Sequence, residues 1–206
     1  TLFPYTTLFR SGITILDLKQ SMFLSPEQIS LEHIQEGDDS RSLSNASARC
    51  IFQDSFDNIW IGTWGGGLNL LDLKAPRQIL EVISSQTGGG FPINFIGVLN
   101  YDPINEGIWI GANQGLYFYD PVKKEITAPL PDKAAENIHG CIGSIIDKEG
   151  KLWVGCLEGV YIIDLHSRSS KGEFQYRHLN YKLDDPSSRL IEKITCFYQG
   201  KDGTLW

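Results

Sequence analysis

The chain has 206 residues, 41% of them hydrophobic, with 21 glycines, four cysteines and a formal net charge of −7. This is a globular composition, and an acidic balance with no basic cluster argues against a surface that grips nucleic-acid phosphates. No apolar run approaches the roughly 18 residues that a membrane-crossing helix needs, and no CxxC spacing signals zinc.

Taken in chain order, Thr1–Ser11 has no counterpart elsewhere in the sequence. It reads as a non-native scar and is set aside from fold reasoning. Gly12-Ile-Thr-Ile-Leu-Asp17 then opens a pattern that returns as Gly67-Leu-Asn-Leu-Leu-Asp72, Gly115-Leu-Tyr-Phe-Tyr-Asp120 and Gly159-Val-Tyr-Ile-Ile-Asp164. Ahead of each later copy stands a tryptophan in a fixed frame: Ile59-Trp60-Ile61-Gly62, Ile108-Trp109-Ile110-Gly111 and Leu152-Trp153-Val154-Gly155. Leu205-Trp206 begins a fourth such frame at the last residue. The tryptophans are 49, 44 and 53 residues apart, a period that belongs to repeat architectures.

Each unit begins with a short apolar run, such as Cys50-Ile51-Phe52 or Ile145-Ile146, followed by a turn containing Asp-Asn, Glu-Gly or Asp-Gly. Such pairs predict hairpins, because glycine and asparagine tolerate the positive φ of a tight turn. A more polar fourth segment closes each unit: Arg77–Ile83, Lys123–Thr127 and Phe174–Tyr181. Short runs rich in Ile, Val, Tyr and Trp between turn residues are strands. Four antiparallel strands repeated at ~40–50 residues describe a β-propeller blade. Continuous apolar stretches fit inner strands buried on both faces, and Gly62, Gly111 and Gly155 mark places where a neighbouring blade comes close.

The expected organisation is all-β: a partial blade at 12–31, blades at 46–83, 93–128 and 138–181, and a partial blade at 190–206. Three full blades and two partial ones fall short of the ~4–8 of a closed ring, so the chain is expected to be a β-propeller fragment. Cys50 and Cys196 each stand ten residues before a tryptophan, and Cys156 takes the place of Thr63. They read as small buried hydrophobes, with no Cys50–Cys196 disulfide expected.

The segment Ile51-Phe-Gln-Asp-Ser-Phe-Asp-Asn-Ile-Trp-Ile-Gly-Thr-Trp-Gly-Gly-Gly-Leu-Asn-Leu-Leu-Asp72 resembles the two-component regulator propeller repeat. Asp147–Asp164 and Gln199–Trp206 are further copies, and Asp38–Asn45 and Asp184–Leu190 are similar to that family's inter-blade segments. The resemblance covers about residues 12–206 and implies propellers of about seven blades, usually two in tandem. It further implies the periplasmic sensor region of an inner-membrane hybrid histidine kinase, as found in gut-type Bacteroidetes. Such a protein dimerises, recognises an oligosaccharide and controls polysaccharide-utilisation genes. Coupling to another output, such as a diguanylate cyclase, is the alternative within the same architecture.

Catalysis finds little support in the residues. His33, His139, His166 and His178 stand in no nucleophile motif, and the histidine–acid constellation of streptogramin-lyase-like propellers is not evident. Neither a cofactor nor a metal site is expected: Asp54, Asp57 and Asp202 read as turn residues capping their own backbone, without the alternating ligands of a calcium loop. Trp60, Trp109, Trp153 and Trp206, with Gly62, Gly111, Gly155, Asp72, Asp120 and Asp164, read as the structural frame of the repeat. Trp64 departs from that frame, since it occupies a loop where other units carry Asn113-Gln114 and Leu157-Glu158. An aromatic in such a loop suits stacking on a sugar ring, so Trp64, Asn113, Gln114 and Glu158 are the candidate ligand residues.

Overall fold

A computed structural model describes residues 2–3, 11–16, 25, 29, 31–54, 56–73, 77–87, 92–131, 138–179 and 194–206. All of the regular elements among them are strands. Three four-stranded antiparallel sheets follow the chain in order. The first joins β4 (Ala48–Gln53), β5 (Ile59–Thr63), β6 (Gly67–Asp72) and β7 (Gln78–Ile83). The second joins β8 (Ile96–Asp102), β9 (Gly107–Ala112), β10 (Gly115–Asp120) and β11 (Glu125–Thr127). The third joins β12 (Gly143–Ile146), β13 (Lys151–Cys156), β14 (Gly159–Asp164) and β15 (Gln175–Leu179). Each is a meander in sequence order, and the first strands β4, β8 and β12 lie side by side. The molecule is therefore built from propeller blades.

The N-terminal sheet has three strands, β1 (Leu2–Phe3), β2 (Ile13–Leu16) and β3 (Leu31–Ile34). Leu2–Phe3, set aside on sequence, form an edge strand paired with Thr14 and Ile15. The third strand ends beyond residue 31, so this partial blade is longer than its sequence pattern suggested. Asp17 and the inter-blade segment 184–190 lie outside the described residues. At the other end, 194–206 form a hairpin in which Tyr198 and Trp206 exchange backbone hydrogen bonds of 2.9 and 2.8 Å.

The core is a stack of inter-blade layers, which explains the uninterrupted apolar runs. In β9, Ile108, Ile110 and Ala112 join Trp60, Leu68 and Ile83 of the first blade, whereas Trp109 joins Leu152, Val154 and Phe174 of the third. Alternate residues of one strand thus feed two different cores, a period of two concealed by both faces being apolar. The same division sends Ile59 and Ile61 toward Ile13 and Ile34 while Trp60 faces the second blade. Spacing between blades is set at the glycines after each tryptophan. A Cβ on Gly62 would lie 2.6 Å from Ile96, one on Gly111 2.8 Å from Cys141, and one on Gly155 2.8 Å from Ile194. Ile96 opens β8 and Cys141 stands just before β12, so side chains at the entry of one blade pack directly on the glycine backbone of the blade before it, where no further side chain fits.

The turns before the tryptophan strands hold more than their own backbone. Asp54 Oδ1 accepts from Phe56 N and Asn58 N at 2.9 Å each, and its Oδ2 accepts the Trp60 indole Nε1–H at 2.9 Å. Asp102 and Trp109 repeat that bond at 3.1 Å, and Asp147 and Trp153 at 2.7 Å. The aspartate at the end of the inner strand, or one residue past it, therefore fixes both the hairpin and the ring of its own blade. Near Trp206 the equivalent place is held by Gly200, and that ring is 75% exposed. The positive φ of these turns falls on Asp57 and Glu106, at 65° and 52°, one residue earlier than the Asp-Asn and Glu-Gly pairs imply. Gly107 serves packing instead, because a Cβ there would strike the Phe118 ring at 2.1 Å.

An acid-stability prediction follows for Asp54. Burial pushes its carboxyl up, but hydrogen bonds from Trp60, Asn58 and Phe56 outweigh that and hold its pKa below 3.8. A lowered folded pKa means that the stabilisation is complete above about pH 5 and is lost as pH falls through 3.8 toward the folded value. In thermal melts from pH 6 to pH 3, the gap between the wild type and Asp54→Asn is expected to hold down to about pH 5 and to narrow below it.

Candidate functional site

Because β5, β9 and β13 run antiparallel to the inner strands, the loops that follow them lie at the end of the blades where the inner strands begin. Trp64 N donates to Ser47 O at 2.8 Å, Asn113 N to Phe95 O at 2.9 Å, and Leu157 N to His139 O at 3.0 Å. Each loop is thereby tied to the entry of its own blade's first strand. Bonds between blades continue the series: Gly65 N and Gly67 N donate to Asn94 O at 2.8 and 3.1 Å, and Gly140 N donates to Asn113 O at 3.0 Å. Trp64, Asn113, Gln114 and Glu158 consequently sit along one arc on one face.

Trp64 is 39% exposed, in contrast to Trp60 at 2% and Trp109 at 1%. Its ring meets Phe95 edge to face, with centroids 5.5 Å apart and planes at 73°, and the Arg49 guanidinium lies 5.2 Å over it. Phe95 is itself 42% exposed. The result is an open aromatic platform with a cation against one face of the indole, held rigid by packing and by backbone bonds. Phe95 and Arg49 escaped the sequence reading. Their signal was faint: an aromatic and a basic residue at strand entries, positions that vary between units.

Farther along the arc, Asn113 and Gln114 are exposed, and Gln114 O accepts from Tyr117 Oη at 2.9 Å. Glu158 is less open than its loop position suggested. Its Oε2 accepts the His139 backbone N–H at 3.2 Å and its Oε1 lies 3.2 Å from His139 Nδ1. Its carbonyl contacts His178 Nε2 at 2.9 Å, and that imidazole stacks on Tyr161 at 4.1 Å. The carboxylate thus clamps the entry of β12 and keeps only its remaining lone pairs for a ligand. The frame aspartates Asp120 and Asp164 cap the following turn, accepting from Val122 N and His166 N at 3.0 Å each. Asp72 ends β6 at the matching place.

Among the described residues no group of three or more His, Cys, Asp or Glu side chains is placed to hold a metal ion, and no helix is long and apolar enough to cross a membrane. The face thus presents an exposed indole, a stacking surface, and the exposed side-chain amides of Asn113 and Gln114, which can donate and accept hydrogen bonds.

Residues 42–65 match the family described as two component regulator propeller, and they contain β4, the Asp54 turn and the Trp60 strand. No curated relative matches the chain by sequence. Among solved structures, the chain is similar to the extracellular domain of a B. thetaiotaomicron protein described once as a one component system and once as a hybrid two component system. The first gives a TM-score of 0.67 at 18% identity and the second 0.65 at 20%, each over 95% of this chain and 23% of the other. A further similarity is to a catalytically inactive virginiamycin B lyase from Staphylococcus aureus, with a TM-score of 0.58 at 12% identity over 100% of this chain and 66% of that one. The chain spans about a quarter of the length of the B. thetaiotaomicron structures. At these identities the likeness shows the fold, a β-propeller.

Proposed function

We propose that this chain is a ligand-sensing propeller segment from the periplasmic region of a hybrid two-component sensor histidine kinase and response regulator. Its ligand is an oligosaccharide, and its output is control of polysaccharide-utilisation genes. The observation that carries this reading is Trp64: an exposed, packed indole on a loop face, in a repeat whose frame tryptophans Trp60 and Trp109 are buried. The family of residues 42–65 and the likeness to an extracellular domain of a hybrid two component system support it. Signalling further requires that the ligand bind two receptor states with different free energies. The remaining blades, the membrane anchor, a homodimer and the kinase belong to the parent protein in this reading.

The test is calorimetry against a panel of oligosaccharides, on this chain and on the whole extracytoplasmic region. Trp64→Ala is expected to weaken binding at least about tenfold, which is about 1.4 kcal/mol, while leaving the thermal melt nearly unchanged. A panel with no binder, or a variant binding as tightly as the wild type, would sink the proposal. A lyase reading has one observation behind it, the His139–Glu158 pair on the same face. One Glu158 oxygen is committed to the His139 backbone N–H, which is the behaviour of a loop clamp.

A further inference from the structure

Cys141 and Cys156 place their sulfur atoms 3.2 Å apart, and the two residues are only 2% and 1% exposed. Cys141 stands just before β12 and Cys156 ends β13. In the first blade the equivalent positions are Ala48 and Thr63, and in the second Ile96 and Ala112, each a directly paired couple across the inner hairpin. In the third blade, Ile142 N donates to Gly155 O at 3.1 Å and Leu157 N to His139 O at 3.0 Å, on either side of the two cysteines. That makes them a cross-strand pair with no mutual backbone bonds, the arrangement that brings Cα atoms to about 4.5 Å. A disulfide spans Cα separations of about 4.4–6.8 Å.

We propose that Cys141 and Cys156 close a disulfide that staples the third blade's inner hairpin at its ligand-facing end. The two thiols give up two protons and two electrons to a disulfide oxidant, either oxidised glutathione or a dithiol–disulfide oxidoreductase. The oxidant departs as two thiols as the Sγ–Sγ bond forms. In the closed blade Cys141 packs beneath Gly111 and donates its backbone N–H to Ala112 O at 3.3 Å. The hydrogen bond with Cys156 and burial also hold its thiol well above the ordinary range. Thiolate is scarce there, so the bond closes while the chain folds, before the second blade covers the pair. It lies directly under the strand entry that carries His139 and the loop that carries Glu158, and so holds that part of the arc in place. The inference rests on the thiol pair and stands apart from the identity of any ligand.

The test is to refold the chain in a glutathione redox buffer, denature it without reductant, alkylate it and weigh it. Two alkyl groups are expected instead of four, with proteolysis releasing a linked pair of peptides containing Cys141 and Cys156. Reduction is expected to lower the melting temperature by roughly 5–10 °C for a staple that closes so short a loop. The double variant C141A/C156T, which copies Ala48 and Thr63 of the first blade, is expected to melt at the same temperature with and without reductant. Four alkylatable sulfurs after refolding, or pairing through Cys50 or Cys196, would overturn the proposal.

Discussion

Trp109→Ala is expected to cost about 3–5 kcal/mol of folding stability, as large-to-small changes of buried aromatics do. The indole is 1% exposed and lies edge to face against Phe118 at 5.4 Å and Phe174 at 5.1 Å. It fills the layer between the second and third blades, where side chains already pack tightly on backbone, as Cys141 does on Gly111, so collapse into the cavity is limited. A protein of this size holds only about 5–15 kcal/mol in total. Urea titration should therefore show a much earlier midpoint with little change in slope. Trp64→Ala is the internal comparison, since the same substitution on the exposed face is expected to cost under about 1 kcal/mol. A Trp109→Ala protein as stable as the wild type would mean that the repeat tryptophans do not form the inter-blade layers.

Asp102→Ala is expected to be nearly as damaging, at about 3 kcal/mol, although it removes few atoms. The carboxylate is fully buried and accepts four hydrogen bonds: Ile104 N at 2.9 Å, Asn105 N at 3.0 Å, Asn105 Nδ2 at 2.9 Å and Trp109 Nε1 at 3.1 Å. Deleting it leaves the buried indole N–H without its partner, at about 1–3 kcal/mol for a group left truly unsatisfied, and releases two turn amides that hold the hairpin closed. Asn105 also donates to Leu165 O at 2.9 Å in the third blade, so loosening this turn weakens an interface as well. Asp102→Asn keeps an acceptor and is expected to lose less. A double-mutant cycle with Trp109→Phe should return a coupling of about 0.5–3 kcal/mol. Additive single-variant effects would show that the Asp–Trp bond contributes nothing of its own.

The Asp102 turn, where seven positions separate aspartate from tryptophan against six in the Asp54 and Asp147 turns, illustrates how far local pattern reaches. Sequence registers the insertion at Asn105-Glu106 but assigns it no purpose. In the structure the longer turn lets Asn105 contact both its own aspartate and the neighbouring blade. The candidate face was legible in a similar, partial way. Trp64 stood out because a repeat exposes its own exceptions, and the loop position placed Asn113, Gln114 and Glu158 on the same side. Nothing in the local sequence showed that Phe95 and Arg49 would frame the indole, or that His139 would occupy Glu158. Those contacts join residues brought together only when strand entries and loops close.

The amino-acid sequence by itself determined the strands, their meander, the repeat of the blade and the tryptophan–glycine frame. All of these follow from short-range turn chemistry and from apolar periodicity within one unit. Only the tertiary structure decided which core each residue enters. Ile108 and Ile110 turn to one neighbour and Trp109 to the other, and when both faces are equally apolar no local pattern distinguishes them. It likewise decided that the turn aspartates reach the indoles and that Cys141 meets Cys156, because a bond across strands depends on register and bulge, which emerge only when the sheet is assembled.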